Sequence, residues 1–335
     1  MIYTGGTIGM VNDLQTGELK AFDFNQIDSH VPELNRLNVN LTTISFDHPI
    51  DSSEITINDW KKIGEIIYGN YESYDGFVIL HGSDTMAYTA SALSFMLQGL
   101  KKPVILTGSQ LPIGTIRTDG KENLITAIEI AACKDENNEA VVQEVAVYFE
   151  YSLYRGNRSS KVSANQFEAF KSPNYTPLAI AGVTIEFHKD RLLRTAKKQL
   201  EFHPNLSNEV ALIKLFPGIN FSFYEAIFDA KKIKGIVIET YGSGNAPSDQ
   251  KLQKAIATFI QDGGVVLNIT QCSSGKVVQG KYETSSFFNK IGVISGGDMT
   301  TEAAISKLMY LINQDLSSNE LKVLLQTSIV GELSN

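Results

Sequence analysis

The sequence predicts an α/β protein of two domains with mostly parallel sheets, the larger domain N-terminal and the smaller one C-terminal. Short, nearly continuous apolar runs recur along the chain, and such runs are typical of strands buried in a parallel sheet. Segments with helical periodicity lie between these runs, as they do in βαβ units. The length of 335 residues favours two domains or one large domain over a single ordinary core.

Six apolar runs are predicted strands, and each is four to seven residues long. In chain order they are Gly76–Leu80, Val104–Thr107, Glu144–Phe149, Val210–Phe216, Gly235–Glu239 and Val265–Ile269. Another apolar stretch, Met1–Tyr3, precedes the first glycine turn and is shorter than the usual strand of about 5–6 residues. We therefore expect either a short first strand or a natural start that lies upstream.

Six segments between these runs are predicted helices. They are Ile57–Gly69, Thr85–Leu97, Asn123–Cys133, Ser222–Lys232, Asp249–Asp262 and Thr301–Asn313. The first of them follows Thr56 and carries Asn58 and Asp59 in its first turn, which is a composition that helix starts favour.

The segment 188–208 differs from the rest of the chain. It is charged, has little apolar periodicity and joins two α/β patterns, so it is predicted to be an interdomain linker. The predicted domains are therefore residues 1–187 and residues 209–335.

Composition excludes several classes of function. The net charge of −8, with no Lys/Arg run longer than two residues, argues against nucleic acid as a partner. The only two cysteines, Cys133 and Cys272, are far apart, and the five histidines show no metal-ligand spacing. No apolar stretch approaches the roughly 20 residues that span a bilayer, and no signal peptide pattern opens the chain. We expect a cytoplasmic protein without metal, disulfide framework or membrane segment.

Two polar turns begin where apolar runs stop, Thr4–Thr7 and His81–Thr85. Glycines in the first turn allow a sharp bend and the close approach of a ligand, and Thr7 follows with its hydroxyl. A simple loop or a phosphate-binding turn is the alternative, although GxGxxG and GxxxxGK[ST] are both absent. Because ligands of α/β proteins bind at the carboxyl ends of strands, the two turns together suggest one active centre built around a hydroxyl nucleophile.

The second turn has two interpretations. The hydroxyl of Ser83 and the carboxylate of Asp84 could cap the helix that follows, or Asp84 could hold a substrate ammonium group. We expect His81 to be a satisfied, partly buried histidine rather than a general base.

Three further polar clusters have both a structural and a functional interpretation. The run Tyr154–Lys161 reads as a solvated loop, or as the place where a lysine activates a neighbouring hydroxyl. The run Asp51–Glu54 could cap a helix, or a hydroxyl and backbone amides there could hold a substrate carboxylate. The run Gly242–Pro247 by itself predicts only a turn.

Taken in this order and spacing, the motifs closely resemble those of the bacterial L-asparaginase family, and most of all its cytoplasmic type I members. The strings that carry the resemblance are residues 4–8, 81–86, 155–158 with Lys161, 107–110, 244–247 and 270–272. The resemblance covers nearly the whole chain.

The resemblance implies a fold and an activity. The fold is a larger N-terminal α/β domain, a linker and a smaller C-terminal α/β domain. The activity is hydrolysis of L-asparagine to L-aspartate and ammonia, without metal or cofactor. The family is typically a homotetramer built from dimers.

The resemblance also implies roles for individual residues. Thr7 is implied as the nucleophile, and Ser83, Asp84 and Lys161 as a second catalytic set. The implied substrate-binding residues are Ser52 and Ser53 for the α-carboxylate and its surroundings, Asp84 for the α-ammonium, and Asn245 reaching the active site of a neighbouring subunit.

Three positions depart from the family pattern. Ser83 stands where threonine is usual. The lid Val11–Phe24 contains no tyrosine, although the family uses a lid tyrosine to activate the nucleophile, and Glu18 aligns there. Glu239 stands where type I enzymes with an allosteric asparagine site have arginine, which argues against activation through that site.

Two other functions compete with hydrolysis of asparagine. One is the amidase subunit of a tRNA-dependent amidotransferase, and the other is a non-catalytic amino-acid-binding protein. The sequence does not separate asparagine from glutamine as substrate, because one methylene is worth only about 1–3 kcal/mol in a pocket.

Overall fold

The computed structural model describes residues 1–12, 19–21, 31–280 and 283–334. The chain folds into two units, Met1–Pro204 and Asn205–Asn335. Each unit has a mostly parallel sheet and its own apolar core, which confirms the predicted α/β class. The boundary after Pro204 lies inside the segment 188–208.

The first unit contains fourteen strands among its described residues. They are β1 Ile2–Gly5, β2 Met10–Asn12, β3 Leu19–Ala21, β4 Ile44–Ile50, β5 Phe77–Leu80, β6 Leu97–Gln98, β7 Val104–Thr107, β8 Val145–Phe149, β9 Ser152–Arg155, β10 Ser160–Lys161, β11 Phe170–Lys171, β12 Ala179–Ala181, β13 Ile185–Phe187 and β14 Glu201–Phe202.

Eight of these strands form one sheet in the order β13-β12-β9-β8-β7-β5-β1-β4. The five strands from β8 to β4 are parallel, and β9, β12 and β13 extend the sheet in antiparallel pairs. The short strand β1 lies inside this sheet, where Ile2 pairs with Ile44 on one side and with Ile79 on the other. The carboxyl ends of β4, β1, β5 and β7 therefore lie side by side at the same end of the sheet.

Three helices of the first unit accompany the parallel strands: α1 Ile57–Asn70, α2 Met86–Met96 and α3 Gly120–Ala132. At the start of helix α1, the backbone N–H and the hydroxyl of Thr56 both donate to Oδ2 of Asp59, at 2.8 and 2.6 Å. Helix α2 is buried on nearly every side, as expected of a helix that is apolar all round.

The second unit has a parallel sheet of four strands in chain order, β15 Val210–Lys214, β16 Gly235–Thr240, β17 Val265–Thr270 and β18 Ile294–Ser295. Its helices are α4 Gln250–Gln261, α5 Glu283–Ile291, α6 Thr301–Ile312 and α7 Ser318–Gln326. A fully buried ion pair of 2.6 Å between Lys307 and Glu332 ties the segment after α7 to α6.

One predicted helix differs from the structure in type and in length. The segment predicted as Ser222–Lys232 forms a 3-10 helix, Phe221–Phe228, that ends four residues earlier. Four of its eight residues are aromatic, and aromatic side chains lose rotamer freedom in an α-helix.

Within the described residues, no helix combines the length and the apolar character needed to cross a bilayer.

Candidate active site

Four polar turns lie together at the carboxyl ends of the parallel strands of the large sheet because they follow four neighbouring strands. The turn that carries Thr7 follows β1, and the turns that carry Ser52 and Ser83 follow β4 and β5. Strand β7 leads into the turn that ends at Gln110. Just before the turns, the Thr4 hydroxyl donates to the carbonyl oxygen of Leu80 at 3.0 Å and joins the ends of β1 and β5.

Glycine is required where the first two turns touch. Gly6 has a φ of +86°, and a Cβ placed on it would lie 2.5 Å from the Cα of Gly82. Two backbones can approach this closely only without a side chain between them. Thr7 and Ser83 each come one residue after this contact, so the two predicted hydroxyl groups belong to adjoining turns.

Thr7 begins a 3-10 helix, Thr7–Gly9, and its side chain is partly exposed. The phenol of Tyr3 holds this helix by donating to the carbonyl oxygen of Gly9 at 3.2 Å. A Cβ on Gly9 would overlap the Tyr3 ring, so the ring packs directly on the backbone. Burial raises the pKa of Tyr3 to about 12, which keeps the phenol protonated as a hydrogen-bond donor.

Ser52 packs against Gly82, the glycine of the turn that carries Ser83. A Cβ on Gly82 would lie 2.5 Å from Oγ of Ser52, and the Thr85 hydroxyl donates to the carbonyl oxygen of Ser52 at 2.6 Å. Ser52 is buried at the start of the 3-10 helix Ser52–Glu54. The structure thus brings Ser52 to the turn that carries Ser83.

Ser53 is placed differently from Ser52. It is exposed, and both its hydroxyl and its backbone N–H donate to Oδ1 of Asp51 at 2.9 Å. These two bonds lower the pKa of the Asp51 carboxyl group. The Ser53 hydroxyl therefore serves the cap of the 3-10 helix, which is the structural interpretation of this run.

Lys161 connects two of the predicted catalytic residues. Its Nζ donates to Oγ of Ser83 at 2.9 Å and forms an ion pair of 2.5 Å with Oδ1 of Asp84. The Lys161 side chain is 17% exposed, whereas that of Asp84 is 63% exposed. The amine is thus enclosed while the carboxylate faces outward.

A short hairpin carries Lys161 to this position. Lys161 ends β10, which pairs with β11 so that Lys161 lies opposite Phe170. Before it, the 3-10 helix Gly156–Arg158 packs on α2, where a Cβ on Gly156 would lie 3.1 Å from Cβ of Ala90. Arg158 is buried, with its guanidinium 5.4 Å from the centre of the Tyr175 ring.

His81 is a buried, hydrogen-bonded residue, as the sequence interpretation favoured. Its Nδ1 lies 2.6 Å from the carbonyl oxygen of Gly82, and its Nε2 lies 2.9 Å from the hydroxyl of Thr89. A carbonyl only accepts, so Nδ1 carries the proton and Nε2 accepts from Thr89. The indole N–H of Trp60 donates to the same hydroxyl at 2.9 Å. Burial lowers the pKa of His81 to about 4, which excludes a charged imidazole at neutral pH.

Gln110 is a site residue to which the sequence analysis gave no role. Its Oε1 accepts from the Ser83 hydroxyl at 3.3 Å, and its Nε2 donates to the carbonyl oxygen of Gln166 at 2.9 Å. Its backbone N–H donates to the Asp119 carboxylate, with 2.9 Å to Oδ2. The available signal was its position just after the predicted strand Val104–Thr107, at the edge where the other turns lie.

Asn245 lies in the second unit. It closes a tight turn in which its backbone exchanges two hydrogen bonds of 2.9 Å with Tyr241. Gly244 has a φ of +108°, and a Cβ on it would lie 2.8 Å from Val277. The turn predicted for Gly242–Pro247 is therefore present, and glycine is needed within it.

Glu239 has its own partners within the second unit. It is buried near the end of β16, accepts from the Thr301 hydroxyl at 2.5 Å and pairs with Nζ of Lys214 at 3.1 Å.

Two predictions fall partly or wholly outside the described residues. Glu18 lies outside them, and of the predicted lid Val11–Phe24 only backbone in β2 and β3 is described.

Comparison with known proteins agrees with the geometry. Residues 1–193 match the family model "Asparaginase, N-terminal", and residues 209–325 match "Glutaminase/Asparaginase C-terminal domain". The chain is 40% identical to L-asparaginase 1 of Escherichia coli (strain K12), over 99% of this chain and 96% of that protein. It is 38% identical to the 60 kDa lysophospholipase of Mus musculus, over 99% of this chain but only 62% of that protein.

Among solved structures, L-asparaginase I from Vibrio cholerae superposes with a TM-score of 0.89 at 39% identity, covering 100% of this chain and 99% of that one. Both family models and both units of the fold agree with this match. The chain belongs to the asparaginase family.

Proposed function

We propose that this protein is an amidohydrolase that converts L-asparagine to L-aspartate and ammonia with Thr7 as nucleophile. The observation that carries the proposal is the position of Lys161, whose Nζ bonds both Ser83 and Asp84 in the turn that adjoins the turn of Thr7. Family membership supports the same reaction.

The proposed reaction proceeds in two steps. The Thr7 oxygen attacks the side-chain amide carbon of asparagine, the C–N bond breaks, and ammonia leaves with a proton. Water then hydrolyses the resulting ester, which releases aspartate and restores the Thr7 hydroxyl. A threonine hydroxyl is a weak nucleophile until a base takes its proton, and we assign that base role to Lys161, acting with Ser83.

The two charged ends of the substrate have separate proposed partners. The exposed carboxylate of Asp84 suits the α-ammonium group, since among the described residues its Oδ2 accepts no hydrogen bond. Ser52, buried beside Gly82, suits the α-carboxylate. Ser53 stays a predicted neighbour of that carboxylate, with its hydroxyl already donated to Asp51. Backbone N–H groups of the two glycine turns are the proposed donors to the oxyanion.

We further propose a cytoplasmic homotetramer in which Asn245 reaches the active site of a neighbouring subunit. Its place in a tight turn of the second unit supports a fixed backbone position for this residue. Light scattering measures the assembly, and Asn245→Ala is expected to raise KM while leaving each subunit folded.

The deciding experiment measures ammonia release by the purified protein, with L-asparagine and L-glutamine titrated separately from micromolar to tens of millimolar. We expect turnover that favours asparagine, that vanishes in Thr7→Ala and that persists at a reduced rate in Thr7→Ser. Undiminished turnover in Thr7→Ala would refute the proposed nucleophile.

The same experiment separates the two competing functions. An amidotransferase subunit would release ammonia only with tRNA or a partner protein. A binding protein would show heat on titration with asparagine and no ammonia.

A further inference from the structure

The side chain of Ser83 does not by itself fix the position of its hydroxyl group. A β-branched residue has a restricted χ1, whereas serine can occupy three staggered rotamers. The rotamer decides whether Oγ of Ser83 lies near Lys161, so something outside the side chain must select it.

Two neighbours define the position of this hydroxyl. Nζ of Lys161 lies 2.9 Å from Oγ of Ser83, and a lysine ammonium group only donates, so Oγ accepts this bond. The single hydroxyl proton then points to Oε1 of Gln110, 3.3 Å away. The hydroxyl is thus held from two directions in the rotamer that reaches Lys161.

Gln110 is itself held at three atoms. A backbone carbonyl accepts and never donates, so the bond of 2.9 Å to the oxygen of Gln166 assigns Nε2 to that side and Oε1 to Ser83. The backbone N–H of Gln110 donates to the carboxylate of Asp119, at 3.1 and 2.9 Å from its two oxygens. Asp119 is buried, directly precedes α3, and also accepts from the backbone N–H of Leu111 at 3.1 Å.

Together with the bond between Lys161 and Ser83, the bonds of Gln110 form a closed circuit of contacts. Gln166 lies in the loop between β10 and β11, and β10 is the strand that carries Lys161. The side chain of Gln110 therefore joins the turn of Ser83 to the hairpin of Lys161 by a second route, in addition to their direct bond.

We propose that Gln110 is a positioning residue that holds Oγ of Ser83 in the rotamer bonded to Lys161 and so replaces the restraint that a branched side chain would supply. The inference rests on the proposed function, because it assigns Ser83 and Lys161 to the reaction.

The test is a double-mutant cycle of Gln110→Met, which keeps the length of the side chain without the acceptor, and Ser83→Thr, which restores branching. In the Ser83 background, Gln110→Met is expected to lower kcat about ten-fold, the size of one lost hydrogen bond between neutral groups, with KM little changed. In the Ser83→Thr background the same substitution is expected to cost less than about three-fold, because β-branching restricts χ1.

The matched control is Gln143→Met, at a buried glutamine that also donates to a backbone carbonyl but precedes β8 at the opposite end of the strands. It is expected to leave kcat unchanged. Equal losses of kcat in the Ser83 and the Ser83→Thr backgrounds, or no loss of kcat in either background, would overturn the proposal.

Crystal structures of the same variants test the inference without activity. We expect one Ser83 rotamer in the unmodified protein and more than one in Gln110→Met. In the double variant, which has threonine at position 83, we expect a single rotamer again. A single, unchanged Ser83 rotamer in Gln110→Met would also overturn the proposal. If the unmodified protein releases no ammonia, the proposed function fails, and the rotamers still decide the role of Gln110.

Discussion

Lys161 and Asp84 lie 77 positions apart in the sequence, and their side chains form an ion pair of 2.5 Å. The pair is uneven, because the amine is enclosed by protein while the carboxylate is mostly exposed. A substrate ammonium group can therefore approach Asp84 without displacing Lys161 from Ser83. This arrangement separates the residue that we assign to binding from the one that we assign to proton transfer.

Replacing Lys161 by methionine removes the amine and keeps a side chain of similar length. We expect kcat to fall by about 10²–10⁴, the usual contribution of a positioned acid or base, while asparagine still binds. Steady-state ammonia release and calorimetric titration measure the two effects. Lys171→Met is the control, since that exposed lysine lies on the paired strand β11. A kcat near that of the unmodified protein would remove Lys161 from the mechanism.

Gly82→Ala tests the contact between the turns of Ser52 and Ser83. The added Cβ would lie 2.5 Å from Oγ of Ser52 and 2.7 Å from its Cβ. We expect a destabilisation of about 1–3 kcal/mol, as for other overpacked sites, and a raised KM because Ser52 is displaced. Thermal unfolding and asparagine titration measure the two effects.

The control for Gly82→Ala is Gly69→Ala in α1, where an added Cβ meets nothing within 4 Å. Alanine is expected to stabilise that helix by roughly 0.5–1 kcal/mol. Unchanged stability and KM in Gly82→Ala would contradict the close contact.

The buried neutral His81 makes stability depend on pH. Its folded pKa of about 4 lies below the unfolded value of 6.5, so below about pH 6.5 the unfolded chain binds the additional proton. The stability from His81 is complete above pH 6.5 and is lost as the pH falls towards 4, by about 3 kcal/mol in total.

Urea unfolding at pH 5 and pH 7 measures this effect of His81. We expect His81→Gln to be less stable at pH 7 but to depend less on pH across this window. The exposed His48 supplies the control His48→Gln, which is expected to keep the pH dependence of the unmodified protein. If the unfolding free energy of His81→Gln depended on pH as strongly as that of the unmodified protein, groups other than His81 would cause the pH dependence.

The contacts of Glu239 lead us to expect simple saturation of the reaction rate by asparagine. Its carboxylate is buried and already bonded to Thr301 and Lys214, and it would repel the carboxylate of a second asparagine. Initial rates against asparagine concentration are expected to follow a hyperbola with a Hill coefficient of about 1. Glu239→Gln, which removes the charge and keeps an acceptor, is the companion variant. A sigmoidal curve for the unmodified protein would contradict the prediction.

The sequence by itself determined the parallel core of both sheets and the turns that carry Thr7, Ser83 and Lys161. These features are local, because a buried strand reads as an apolar run and the polar turn begins where the run stops. Strand β4 was not predicted, since its outer position leaves most of its residues exposed and breaks the apolar pattern. Helix α7 begins at a capping box of Ser317 and Glu320, a local signal that the sequence analysis did not use.

Only the tertiary structure decided which polar groups meet. Gln110 bonds Ser83 across 27 positions and Gln166 across 56, and no periodicity reports such contacts. The structure also separated Ser52, buried against Gly82, from its neighbour Ser53, whose hydroxyl turns to Asp51. The physical reason is that strand patterns depend on neighbours along the chain, whereas these hydrogen bonds depend on which strands lie side by side in the sheet.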